Sequence, residues 1–169
     1  MDEAERIIKS LQLKQHPEGG YYRETYRSIH EIGEKELGNA YQGKRNYATS
    51  IYFLLTADTF SAFHKIKQDE IWHFYKGTPI ELHMISAEGI YSCVSIGNAI
   101  DIGQLPQFVV KGGCWFAARI EQNAKQDYAL VGCTVSPGFD FRDFTLPNQK
   151  ELIQLFPQHR KIVSELSRE

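Results

Sequence analysis

The sequence predicts an all-β domain of the sandwich or barrel type with a short helix at each end. From Tyr47 onward, short apolar-aromatic runs recur at roughly ten-residue spacing, separated by turn residues. No helical periodicity lies between those runs, which argues against βαβ units. Nine Tyr and ten Phe also favour pleated, half-buried surfaces. A jelly roll of two packed sheets would manage the edges of such strands.

A chain of 169 residues suits one domain and can bury a sizeable core. Residues 1–13 are expected as a helix, 21–146 as the jelly roll and 148–167 as a C-terminal helix. Ala4, Ile7, Ile8 and Leu11 form one apolar helical face, with Asp2 and Glu3 near the positive end of its dipole. His16-Pro17-Glu18-Gly19-Gly20 breaks that helix in a turn. Tyr21–Ser28 reads as a strand with Tyr22, Glu24 and Tyr26 on one face and Tyr21, Arg23, Thr25 and Arg27 on the other. Which face looks inward is left open. His30–Lys44 is polar, Gly-containing and without period, a loop or excursion.

The strand-like runs are Tyr47–Leu55, Phe60–Ile66, Glu70–Tyr75, Ile80–Ser86, Tyr91–Ile96, Gln107–Val110, Cys114–Ile120 and Tyr128–Ser136. Turns are expected at Ala57-Asp58, Lys76–Pro79, Ala87–Gly89, Gly97-Asn98, Gly112-Gly113 and Gln122–Asp127. Pro137–Phe144 alternates aromatic with polar residues and is expected to run extended along a sheet edge. In the last segment, Leu152, Ile153, Leu155 and Phe156 form one apolar stripe. Ile162, Val163 and Leu166 form another beyond Pro157, which should kink or divide the helix.

A net charge of −2 argues against a nucleic-acid-binding surface. No apolar run approaches the roughly 20 residues of a membrane helix, and the acidic start is unlike a secretory signal. Cys93, Cys114 and Cys133 lack metal-type spacing and sit in apolar runs, so they read as buried free thiols in a reducing cytoplasm.

The chemistry concentrates in Thr59–Gly77. Alternation places Phe60, Ala62, His64 and Ile66 on one side of a strand, and Glu70, Trp72 and Phe74 on one side of the next. If the chain returns Glu70 to the face of His64, an imidazole and a carboxylate meet in an aromatic surround. Such a pair can hold a divalent metal or move a proton. Glu70 beside Trp72 and Phe74 is costly unless it is paired or meets a wet cavity. His73 falls on the opposite face unless a bulge intervenes. Gly19-Gly20 and Gly112-Gly113 lack the strand–helix context of phosphate loops and read as turns. His16, Glu18, His30, His83 and His159 have no spacing that converts into chemistry.

The spacing His64–Ile66–Glu70–Gly77 resembles the first motif of the cupin superfamily, with Ile66 where a second His would stand. Lys111-Gly112-Gly113-Cys114-Trp115-Phe116 is similar to the second motif, with Phe116 in its His slot. The stretches His16–Arg23, Thr49–Leu55, Asp69–His73 and Val131–Phe139 resemble a cupin branch catalogued as predicted sugar epimerases. The resemblance implies a double-stranded β-helix, usually a homodimer, with a ligand cavity inside the barrel. The first-sheet edge and the His30–Lys44 loop are candidates for the subunit contact.

Two of the usual metal positions hold apolar side chains, so no cofactor is expected. If a metal is present, His64 and Glu70 would hold it. By similarity to keto-sugar epimerases, His64 would act as base, Glu70 as its orienting partner and Tyr52 as acid. Tyr22, Arg23, Trp72, His73 and Phe116 would contact a small polar ligand, a sugar or sugar-nucleotide derivative. The alternatives are a metal-dependent dioxygenase or isomerase, and a non-catalytic metabolite-binding protein.

Overall fold

The computed structural model describes residues 2–122 and 127–169. The turn expected over Gln122–Asp127 falls largely outside them. Helix α1 (Glu3–Ser10) opens on a reciprocal cap, in which Asp2 accepts the Glu5 N–H at 2.7 Å and Glu5 accepts the Asp2 N–H at 3.1 Å. It stops at Ser10 rather than near Leu13. Gln12 takes a φ of 53° and turns the chain into strand β1 (Lys14–Gln15).

The strands that follow are β2 (Tyr21–Arg27), β3 (Glu31–Ile32), β4 (Arg45–Asn46), β5 (Thr49–Thr56), β6 (Ser61–His64) and β7 (Asp69–Gly77). A one-turn helix α2 (Glu34–Leu37) sits between β3 and β4. Next come β8 (Ile80–Ile85), β9 (Tyr91–Ile96), β10 (Gln107–Val110), β11 (Trp115–Ile120) and β12 (Tyr128–Ser136). The eight expected runs all appear as strands. The paired dipeptides β1, β3 and β4 are too short to leave a periodic signal. Helices α3 (Gln149–Leu155) and α4 (Arg160–Glu165) end the chain, divided at Pro157 as expected.

Two antiparallel sheets face each other, in the orders β1-β2-β5-β12-β7-β10 and β6-β11-β8-β9. Their inner faces meet in a core of Phe53, Trp72, Leu82, Phe116, Ile120 and Val131, among others. This packing fills one end of the barrel and leaves the other end open. Helix α1 covers the outer face of the six-stranded sheet, packing Ala4 with Leu13, Leu54 and Tyr128. Helices α3 and α4 cover the outer face of the four-stranded sheet through Leu152, Val163 and Leu166 against Phe63 and Ala117.

The segment after β12 differs from expectation. It does not run extended along an edge. A 3-10 turn at Phe141–Asp143 folds it across the open end, anchored below by Asp143. That carboxylate accepts from Arg45 Nε and Nη2, both at 2.7 Å, and from Gln68 Nε2 at 2.7 Å. The thiols also differ from expectation: all three are free, but only Cys133 is buried, Cys114 is half-buried and Cys93 is exposed. Among the described residues, no helix is long and apolar enough to cross a membrane.

Candidate active site

The open end of the barrel is a cavity of about 500 Å³, within the ~300–1,000 Å³ typical of small-molecule sites. Strand alternation selects its walls. Thr49, Ile51 and Phe53 face inward from β5, Glu70 from β7, and Cys133 and Val135 from β12. On β2 the inward residues are Tyr22, Glu24 and Arg27. Simple alternation would send Arg27 outward with Arg23. The register shifts between Glu24 and Tyr26, however, so Thr25 is an extra residue and Arg27 falls opposite Thr49.

His64 and Glu70 both line the cavity, as alternation across the Lys67–Asp69 turn suggested. Their partner is one that spacing did not reveal, Glu18. The Glu18 carbonyl accepts from the Ala62 N–H at 2.9 Å, which lays residues 16–20 against the start of β6. Gly19 makes that approach possible. Its φ is +117°, and a Cβ there would lie 2.0 Å from the Phe60 carbonyl oxygen. The Glu18 side chain then accepts from Ser61 Oγ at 2.7 Å and meets His64 Nε2 at 3.1 Å.

The hydrogen positions follow from the partners. The other His64 ring nitrogen, Nδ1, lies 2.7 Å from the Ala62 carbonyl oxygen. A carbonyl only accepts, so Nδ1 carries hydrogen. The 3.1 Å contact between Nε2 and Glu18 Oε2 therefore holds a shared proton. Burial decides where it rests. It pushes the Glu18 carboxyl above its usual range, opposed by His16 and the Ser61 hydroxyl. It also pulls the His64 imidazole down, opposed by the nearby charge of Glu70. Both shifts favour a neutral pair, with Glu18 protonated and donating to His64. His16 Nδ1 accepts the Glu18 backbone N–H at 3.3 Å and lies 3.4 Å from the same carboxyl oxygen. Burial lowers the His16 pKa as well.

Glu70 is the second proton-holding group. Burial, reinforced by Glu18, pushes its pKa up to about 7, while His64, Cys133 and Trp72 oppose the rise. The Trp72 indole N–H completes no hydrogen bond of good geometry, so its effect on Glu70 is one of proximity. A carboxyl that titrates near neutral pH inside a cavity can both accept and deliver a proton.

Other expected site residues are placed differently. Tyr22 lines the cavity, with its ring edge-on to His16 at 4.5 Å between centroids. Phe116 packs beneath His64 at 4.1 Å between ring centroids, and Trp72 is sealed in the core against Phe53 and Phe116. Phe116 and Trp72 therefore do not line the cavity as the expected ligand contacts, and three further expectations are corrected. Tyr52 faces outward into the cluster under α1, 6.1 Å from the Tyr75 ring, because β5 turns its odd-numbered residues inward. Arg23 stacks over Tyr52 on that same outer face at 5.8 Å. His73 alternates outward from Glu70 and bonds Thr134 Oγ1 and Gln107 Nε2, each at 3.2 Å. The β7–β12 register shift comes beyond His73, near Phe74, too late to bring its ring inside.

A metal at this end of the barrel would draw on His64 and Glu70. Ile66 and Phe116 occupy two positions that would need donors, and His64 has both ring nitrogens engaged. Among the described residues no three His, Cys, Asp or Glu side chains converge as a metal site.

A two-sheet antiparallel barrel with one packed end and a polar cavity at the other is the architecture of a jelly-roll cupin. Residues 5–147 match the family model described as "Cupin superfamily (DUF985)", and the chain belongs to that family. It is similar to "Protein SO0799" from Shewanella oneidensis, at 40% identity and a TM-score of 0.88, covering 99% of each chain. It is also similar to a hypothetical protein from Leishmania major, at 37% identity and a TM-score of 0.89, covering 99% of this chain and 100% of that one. The uncharacterized protein YML079W of Saccharomyces cerevisiae is 34% identical over 159 residues, 89% of this chain and 79% of that one.

Proposed function

We propose that the cavity binds a small hydroxylated carbonyl compound and moves a proton at the carbon next to the carbonyl, as an epimerase or isomerase without a metal. The observation that carries this reading is the pairing of Glu70, titrating near pH 7, with the neutral His64–Glu18 pair in one cavity. The base expected from the sequence, His64, has no free ring nitrogen. Its role moves to holding the Glu18 proton, and the base becomes Glu70.

In this scheme the Glu70 carboxylate takes the proton, and the C–H electron pair delocalises onto the carbonyl oxygen. As charge develops on that oxygen, the proton that Glu18 shares with His64 Nε2 turns to it from the imidazole, and a donor held ready in a dry site is most effective there. Return of the proton from Glu70 to the opposite face of the same carbon, after the intermediate has turned over in the cavity, gives the epimer. Return to the neighbouring carbon gives the isomer. No electrons leave the substrate, so no redox partner is required.

The test is exchange of substrate α-protons for deuterium in D2O, followed by NMR over a panel of hydroxylated aldehydes and ketones. Exchange should fall by roughly 10²–10⁴ in Glu70→Gln and His64→Ala, with circular dichroism unchanged. Undiminished exchange in Glu70→Gln would contradict the reading. A melting-temperature rise with a ligand that shows no exchange would instead identify a binding protein.

A further inference from the structure

The charges around the cavity restrict what it can hold. Four acidic side chains line it, Glu18, Glu24, Glu70 and Asp140, against a single fixed cation, Arg27. Arg27 is already committed. Its Nε and Nη2 donate to the two Glu24 carboxylate oxygens at 2.9 and 2.7 Å, and its Nη1 donates to Asn46 Oδ1 at 2.8 Å and to the Phe139 carbonyl at 3.1 Å.

Arg142, beside the mouth, is held in the same way. It donates to both oxygens of Asp140 at 2.9 and 2.7 Å and to the Gln42 carbonyl at 3.0 Å. The backbone N–H at the start of the 3-10 turn is also taken by Asp140, at 2.9 Å. Phosphate recognition needs an unspent guanidinium or ammonium group, or free N–H groups at a helix start. Among the described residues, no lysine lines this cavity. Its polar groups mostly accept, and its apolar walls are the rings of Phe53, Phe139, Phe141 and Phe144.

We infer that the ligand carries no phosphate, and that it is a free hydroxylated ring compound whose amine-bearing form is preferred over the neutral one. This excludes nucleotide-activated sugars and rests on the proposed function only in sharing its cavity. Hydroxyl and ammonium groups donate to the Glu70 carboxylate, since the Glu18 oxygens are engaged by Ser61 and His64. The C–H face of the ring lies against the phenylalanines, where an ammonium also gains from the ring quadrupoles. Glu24 and Asp140 are neutralised by Arg27 and Arg142, so a phosphate would meet the Glu70 carboxylate with no unspent cation among the described lining residues to offset it.

The experiment measures binding, not turnover, by ligand-induced melting shift and NMR titration of the intact protein. The probes are glucosamine, glucose, glucosamine 6-phosphate and uridine diphosphate glucose. Glucosamine should bind at least about tenfold more tightly than its 6-phosphate, glucose should fall between them, and the nucleotide sugar should give no shift. Glu70→Gln should narrow the gap between glucosamine and glucose. Glu24→Gln, which frees the Arg27 fork, should raise affinity for the 6-phosphate at least about tenfold. Equal or tighter binding of either phosphorylated probe by the unaltered protein would overturn the inference. So would the absence of binding by both glucosamine and glucose. Those outcomes leave α-proton exchange untouched, so the two proposals fail separately.

Discussion

Glu70 sets much of the pH response of this protein. A carboxyl with an ordinary value of 4.5 that titrates at about 7 when folded holds its proton in the native state after the unfolded chain has released it. Stability from this group is therefore complete below pH 4.5, falls as pH rises toward 7, and levels off above. The total is up to roughly 3 kcal/mol, since one pKa unit is worth about 1.4 kcal/mol. Glu70→Gln should accordingly be more stable than the unaltered protein at pH 8 and gain little at pH 5, measured by urea unfolding at both. Taking the difference between variants cancels the opposite contribution of His16, whereas that of His64 grows once the Glu70 charge no longer opposes its shift. The Glu70–His64 relation was legible because alternation across a tight turn fixes facing. Glu18 was not, because a His and a Glu before two glycines have no period. Their only local signal is the Gly-Gly turn itself.

At the scale of elements, two segments hold the site. The first is the His16–Gly20 turn, where Gly19 carries Glu18 into the barrel with its backbone pressed against Phe60. Gly19→Ala should cost roughly 2 kcal/mol or more through the positive φ and the forced shift. It should also lower the Glu70 pKa by the part that Glu18 adds, leaving the larger part that burial causes, which NMR titration reads. The second is the strap after β12, pinned by the buried Arg45–Asp143 pair. Asp143→Ala leaves Arg45 buried without its carboxylate, at a cost of about 3–5 kcal/mol. Hydrogen exchange should then quicken across residues 138–144 before it does in β5 or β12. Alternating aromatic and polar residues made this strap look like a strand. The run to Phe144 satisfies strand periodicity, but capping by Asp140 and the ion pair to Arg45 impose a turn that only distant contacts determine. The β2 bulge is a similar case. One extra residue reverses the facing of Arg27, and the local sequence Glu24-Thr25-Tyr26 does not announce it.

Over the whole molecule, the barrel and its helical ends were legible because both rest on patterns, alternation for the strands and the 3.6-residue stripe for the helices. The interior was less legible. Tyr52 and His73 lie on strands that were correctly located, yet they face out, because a site inside a barrel depends on parity relative to distant strands. The empty end exists because large side chains such as Trp72 and Phe116 fill the other. The polar groups in that empty end then face each other in low dielectric, and this is what separates their proton affinities from ordinary values. The most direct test of a buried proton-sharing centre is a ¹³C NMR titration of the side-chain carboxyl carbons in the intact protein. A Glu70 midpoint near 7, with Glu18 also above the ordinary range, is the expected result. Midpoints for both near the ordinary value of about 4.3 would mean that the cavity is wet and its carboxylates are spectators, contradicting the acid–base assignment.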